Sequence, residues 1–195
     1  MTGPPVRLVL ASASPRRLDL LARIGVVPDA VTPADIDETP GRTEQPACYA
    51  ARMADEKAAV IAAAAPGAVI LAADTVVAAG RRILPKTETE AEARAALELL
   101  SGRRHRVLSA VTVVDAQGRV RRRLSTTVVA FKRFDRPELD AYLAAGEWRG
   151  KAGGYAIQGR AEALVRMIAG SHSGVVGLPL YETRALLRAA GYPLG

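Results

Sequence analysis

Between Arg7 and Arg17 the chain passes from an unbroken apolar run, Arg7-Leu8-Val9-Leu10-Ala11, into Ser12-Ala13-Ser14-Pro15-Arg16-Arg17. The run reads as a buried strand. Ser14 followed by Pro15 reads as an N-cap and first helical position. Leu18, Leu21, Ala22 and Ile24 continue at helical spacing, and Gly25 is a plausible stop. Two hydroxyls and two guanidiniums therefore sit where a strand becomes a helix. A helix N-terminus carries unpaired N–H groups and partial positive charge, and arginines add forked donors that match phosphate oxygens. The plain alternative is a capped helix with two solvated arginines.

Such a junction belongs to an α/β chain, and 195 residues suffice for one domain with a real core. A net charge of +7 suits an anionic partner, whether nucleic acid, a membrane surface or a phosphorylated small molecule. Aromatic residues make up only 4%, which argues against a single-strand nucleic-acid binder built on stacking platforms. Cys48 is the only cysteine, so no internal disulfide forms, which fits a reducing compartment. It is expected as a small buried hydrophobe on a helix. The apolar segment near residues 6–13 is too short for a signal peptide and is followed by Arg16 and Arg17. The Ala58–Ala65 run stops at Pro66-Gly67, short of a membrane span. A cytoplasmic protein is expected.

Residues 31–42 form a polar, Pro/Gly-bounded loop that carries Asp35, Asp37 and Glu38. Such a loop is ordinarily solvated, but acids beside a basic site can hold a divalent cation. A helix is predicted over about Gln45–Ala65. Ala68–Ala73 reads as a second buried strand running into Asp74-Thr75. A carboxylate at the end of a buried strand is costly without partners, and open α/β sheets place ligands at the carboxyl ends of their strands. Val76–Ala79 and Arg82–Leu84 read as a small hairpin, with Thr87 as the cap of a helix over Glu88–Leu100. Two long strands, about Arg104–Asp115 and Arg119–Phe131, follow as a hairpin. The arginines at 119 and 121–123 are read as solvated positions near its turn. A helix over Pro137–Ala145 precedes the glycine-rich stretch Gly150–Arg160, which can let backbone approach a ligand. It lacks the spacing and terminal Lys-Ser/Thr of a P-loop. Ala163–Ile168 is a further strand, and Leu180–Ala190 a last helix. His105 and His172 lack metal-site spacing with Cys48.

The ordered set of these pieces resembles the Maf family of nucleoside triphosphate pyrophosphatases. The residues carrying the resemblance begin with Ser12–Arg17, Asp35-Ile36-Asp37-Glu38, Glu56-Lys57-Ala58 and Ala73-Asp74-Thr75. Ser101-Gly102-Arg103-Arg104-His105-Arg106-Val107, Lys151–Gly159 and Val176-Gly177-Leu178-Pro179 complete it. It spans about Arg7 to Leu187. The fold this implies is an elongated, bent mixed α/β sheet with flanking helices. Its two lobes enclose a central cleft within a single domain over 1–195, related to the ITPase-like folds. The implied activity is hydrolysis of a nucleoside triphosphate to the monophosphate and pyrophosphate with a divalent cation, Mg or Mn. The Lys-Ala-Gly…Ile-Gln-Gly signature resembles the dTTP/UTP branch, and homodimers are implied.

By the same resemblance Asp74 is the catalytic base, and Arg16, Thr75 and Gln158 select the base of the substrate. Ser12, Arg17, Lys57, Lys86 and Lys151 line the site, and Asp37 or Glu38 joins Asp74 as metal ligand. Two departures stand out. The family's usual Gly-Lys-Pro or Glu-Lys-Pro is Pro85-Lys86-Thr87 here. Its usual aspartate before Lys-Ala-Gly is Gly150, for which Glu147 is the candidate substitute. The residue types suit the chemistry. Cleavage between the α and β phosphates needs a positioned water and positive charge where negative charge develops. Two rivals are a nucleic-acid-binding module and a regulatory protein that binds nucleotide without turnover; the latter predicts no dependence on Asp74.

Overall fold

A computed structural model describes residues 6–194. The first apolar run forms β1 (Leu8–Ala11), buried throughout. It hands over to α1 (Pro15–Ala22), with proline in the first turn and Leu20 and Leu21 buried. Ser14 occupies the N-cap position, but its hydroxyl makes no capping bond. The short β2 (Ala30–Val31) returns parallel to β1. After the irregular acidic loop, α2 (Pro46–Ala64) buries Ala50, Met53, Ala54, Lys57, Ala58 and Ile61 along one stripe. Cys48 lies off that stripe and is exposed, so the expectation of a buried cysteine is corrected.

The apolar run at 68–73 does not end at Asp74. It forms the first half of β3 (Val69–Ala79), eleven residues that carry Asp74 and Thr75 mid-strand. Pairing explains the length. β4 (Arg82–Leu84) closes the hairpin at the far end of β3. β5 (Lys86–Thr87) leads to α3 (Glu90–Leu100), capped by Thr89 in a capping box with Glu92 rather than by Thr87. The Thr87 hydroxyl is buried and donates to Trp148 O at 2.9 Å. β6 (Arg104–Val114) then runs antiparallel along β3 from Ile70↔Val114 to Ala78↔Arg106. On the opposite edge β1 pairs only to Ala72, and β4 joins only from Val77. Among the described residues, Ala73–Val76 have no partner strand on that edge. The rule about strand carboxyl ends thus applies to β1, whose end opens beside a strand that carries on past it.

β7 (Val120–Phe131) pairs with β6 through the expected hairpin. α4 (Arg136–Ala144), β8 (Lys151–Ala152), a 3-10 turn (Arg160–Leu164), β9 (Val165–Ala169), α5 (His172–Val176) and α6 (Leu180–Ala189) complete the chain. The mixed sheet runs β2-β1-β3-β6-β7-β9, with β4 beside β3; β5 and β8 make a separate two-stranded sheet. Period-two alternation divides β3 between two faces. Val69, Leu71, Ala73 and Val77 join the main core with Leu20, Leu97, Trp148 and Leu186. Ile70, Ala72, Val76 and Ala78 pack in two smaller clusters with residues of α2. None of the described helices is long and apolar enough to cross a membrane.

The hairpin arginines are largely paired. Arg119 and Arg121 each reach the buried Asp115 carboxylate at 2.7 Å, and Arg122 reaches Asp55 at 2.7 Å. Burial pushes the Asp115 carboxyl up, but Arg121, Arg119 and the turn N–H groups outweigh it and hold it well below its usual range.

His105 carries a pH signature. It is 2% exposed, with Nε2 2.8 Å from the Tyr155 hydroxyl and Nδ1 without a hydrogen-bond partner among the described residues. Burial lowers its pKa from 6.5 to about 4. Between those values the unfolded chain binds the proton and the folded one does not. The stabilising contribution is therefore full above the unfolded value and is lost as pH falls toward the folded one. It shrinks by about 2 kcal/mol at about pH 5. Urea unfolding at about pH 7.5 and pH 5 checks this: His105→Phe is expected to reduce the acid-induced loss by that amount. An identical loss in variant and wild type counts against it.

Candidate active site

The unpaired edge of β3 and the adjoining end of β1 both line a cavity of about 190 Å³. Ser12 is 4% exposed and organises the loop at its rim. Its Oγ accepts from Ser14 N at 3.1 Å and from an Arg17 guanidinium nitrogen at 2.9 Å. Arg17 Nε donates to Gly177 O at 2.9 Å. The guanidinium is thus aimed by two uncharged partners and enters no ion pair among the described residues.

Arg16, Lys86 and Lys151 also line the cavity. Burial pulls Arg16 and Arg17 below their usual pKa. Arg16 pushes Arg17 the same way, while Asp74 and Glu38 hold it up. Burial and then Arg16 lower Lys151. Positive charge is crowded here, and a bound anion would relieve it.

The opposite charge comes from two carboxylates that meet on Lys57. Lys57 lies on the buried stripe of α2, and Asp74 on the β3 face turned toward that helix. Lys57 Nζ is 2.8 Å from Asp74 Oδ1 and 2.6 Å from Glu38 Oε1. Lys86 Nζ reaches the other oxygen of Glu38 at 3.3 Å. Burial pushes the Glu38 carboxyl up, but Lys57 and Lys86 bring it below its usual value. Asp74 Oδ2 makes no hydrogen bond among the described residues and is free to meet a ligand. Thr75, the next residue, points to the other face, so the cavity straddles the sheet.

The cavity brings together Ser12, Arg16, Arg17, Glu38, Lys57, Asp74, Thr75, Lys86 and Lys151. It does not bring in Asp37 or Gln158. Asp37 is exposed, and its Oδ1 accepts from Thr39 N at 2.9 Å. The loop is set by Tyr49, whose hydroxyl donates to Glu38 O at 2.7 Å; Glu38, not its neighbour, turns inward. Gln158 is exposed, outside the cavity wall. Glu147 does not reach the cavity either and holds Arg160 N at 2.8 Å, whereas Gly150 lines it directly.

Within the glycine-rich stretch Gly150 borders the cavity as expected, but Gly153 and Gly154 do not. A Cβ on Gly153 would meet Val77 Cγ1 at 2.8 Å, and one on Gly154 would meet the Ala93 backbone at 3.3 Å. These glycines let backbone approach protein rather than ligand. Tyr155 and Val175–Gly177 also line the cavity, and the residue types themselves give no sign of it. The Val-Gly-Leu-Pro motif was the available signal for the second group.

Among the described residues no cluster of three or more His, Cys, Asp or Glu could hold a metal unaided. Glu38 and Asp74 nonetheless fit a magnesium-like ion, which takes one or two carboxylates and draws its other ligands from water and phosphate.

Fold and cavity define a mixed-sheet α/β protein with a cationic, carboxylate-bearing cleft. The solved structure of a HAM1 protein from Coxiella burnetii shares this fold, with a TM-score of 0.52 and 17% identity over 94% of this chain and 99% of that one. Residues 7–190 match the family described as Maf-like protein, and the chain belongs to it. It is 62% identical over 184 residues to a dTTP/UTP pyrophosphatase of Novosphingobium aromaticivorans, covering 94% of this chain and 92% of that protein. It is 61% identical over 194 residues to a dTTP/UTP pyrophosphatase of Rhodospirillum rubrum, covering 100% and 91%.

Proposed function

We propose that the protein hydrolyses dTTP and UTP to the nucleoside monophosphate and pyrophosphate. The observation that carries this reading is one cavity in which five cations surround two carboxylates. Close likeness to proteins described as dTTP/UTP pyrophosphatases supports the same reaction.

Arg16, Arg17, Lys86, Lys151 and the N-terminus of α1 hold the triphosphate and neutralise charge as it develops. Lys57 bridges Asp74 and Glu38 and holds them side by side. Asp74, held through Oδ1, uses Oδ2 to orient a water on the α phosphorus and take its proton. The new P–O bond forms as the bond to the bridging α–β oxygen breaks, and pyrophosphate leaves. A divalent cation such as magnesium or manganese, held by Glu38 and Asp74, would supply Lewis acidity and lower the pKa of the attacking water.

The test is chromatography of the products from dTTP and UTP. Monophosphate and pyrophosphate are expected. Diphosphate and orthophosphate would mean attack at the γ phosphorus, and the assignment would fall. No release of either leaves the binding-only alternative.

A further inference from the structure

Three strands each send a hydroxyl to the short helix α5 or to the residues that cap it, Ser171 and Gly177. On the sheet face opposite α2, Thr75 of β3 lies in register with Ser109 of β6. Ser109 Oγ donates to Gly174 O at 2.7 Å. Thr75 Oγ1 lies 3.1 Å from Ser109 Oγ and 3.3 Å from Gly177 O. Thr127 of β7 accepts from Ser171 N at 2.9 Å and donates to Ser171 O at 3.3 Å. Ser109 is 1% exposed and does not touch the cavity, whereas Thr75 and Gly177 do.

Counting protons fixes the direction of these bonds. A hydroxyl has one proton and two lone pairs. Gly174 O can only accept, so Ser109 spends its proton there and shows Thr75 a lone pair. Both neighbours of Thr75 Oγ1 are then acceptors. Gly177 O already accepts from Arg17 Nε at 2.9 Å and lies farther off, so the Thr75 proton goes to Ser109 Oγ, and only lone pairs remain to face a ligand.

We propose that Ser109 is a positioning residue that holds Thr75 as a hydrogen-bond acceptor, so that the site favours a base with a ring N–H over one with a bare ring nitrogen. This rests on the reading of the cavity as a pyrimidine nucleotide site. Val77 follows Thr75 on the same face of β3, and Val175 and Val176 precede Gly177, so Thr75 borders an apolar part of the cavity wall that suits a base better than phosphates. Uracil and thymine carry an N–H between two carbonyls. Cytosine has an acceptor nitrogen at that place, and two acceptors facing each other are both left unpaired. Ser109 also ties down α5, whose following residue, Gly177, aims Arg17.

The experiment measures dissociation constants of UTP and CTP by calorimetry with EDTA present, which keeps it independent of turnover. Wild type, Ser109→Ala, Thr75→Val and the double variant are compared. Wild type is expected to prefer UTP, and Ser109→Ala to lower that preference about tenfold, the worth of one well-placed hydrogen bond. Thr75→Val is expected to do the same, and adding Ser109→Ala to it to change the preference less than about twofold. Should Ser109→Ala not fold, Ser109→Cys fills the space with a poor acceptor and is expected to act alike. Equal weakening of both nucleotides by Ser109→Ala overturns the proposal, as does a full Ser109 effect in the Thr75→Val background. Wild type binding UTP and CTP equally also overturns it. Wild type that binds UTP but does not hydrolyse it ends the proposed reaction alone; wild type that binds neither ends both.

Discussion

Asp74→Asn is expected to lower kcat for dTTP and UTP by about 10²–10⁴-fold, the usual worth of a general base, with little change in thermal unfolding. The substitution is nearly isosteric and sits within β3, whose backbone pairing to β6 it does not touch. Lys57 keeps Glu38 as a partner at 2.6 Å, so no buried charge is stranded. What is lost is the oxygen that takes a proton from water, since a neutral amide cannot serve. Pyrophosphate release, followed under saturating nucleotide and divalent cation, reads kcat directly. Wild-type turnover in a folded Asp74→Asn protein would remove Asp74 from the mechanism and direct attention to Glu38.

Lys57→Met is expected to act on both stability and activity. Lys57 and Asp74 have side chains only 10% and 14% exposed, while Glu38 is 41% exposed. Removing the ammonium leaves two carboxylates facing each other without their shared cation. Breaking a buried pair typically costs 3–5 kcal/mol or so; with Glu38 partly screened by solvent, about 2–3 kcal/mol is expected in urea unfolding at neutral pH. Activity is expected to fall by at least about 10²-fold, because Asp74 loses the contact that orients it. Combining Lys57→Met with Asp74→Asn separates the effects. Neutralising one carboxylate is expected to restore part of the stability and none of the turnover. A Lys57→Met protein as stable and active as wild type would mean that the ammonium neither compensates nor orients the pair.

Local chemistry was legible in the residues alone. The strand-to-helix passage at Ser12–Arg17, the hairpin between β6 and β7, and the stops at Pro66-Gly67 and Ser101-Gly102 follow from periodicity and punctuation. These need no distant partner. The ordered motifs were enough to suggest the family. The charged residues of the cavity were legible too: Arg16, Arg17 and Asp74 by local chemistry, Glu38 by its acidic loop, and Lys57, Lys86 and Lys151 through the family resemblance.

Tertiary structure decided what depends on pairing between distant segments. Asp74 lies mid-strand because β6 continues along β3 after β1 has ended. Periodicity cannot see this, since an apolar run interrupted by one polar residue looks the same as a run that stops. Glu38 rather than Asp37 turns inward because of Tyr49, eleven positions away. The glycines at 153 and 154 serve packing against β3 and α3. Thr75 meets Gly177 across 102 positions, and Ser109 meets Gly174 across 65. A serine inside a strand carries no local sign of such a bond. Its proton is committed only once a carbonyl from the far end of the chain has been folded onto it.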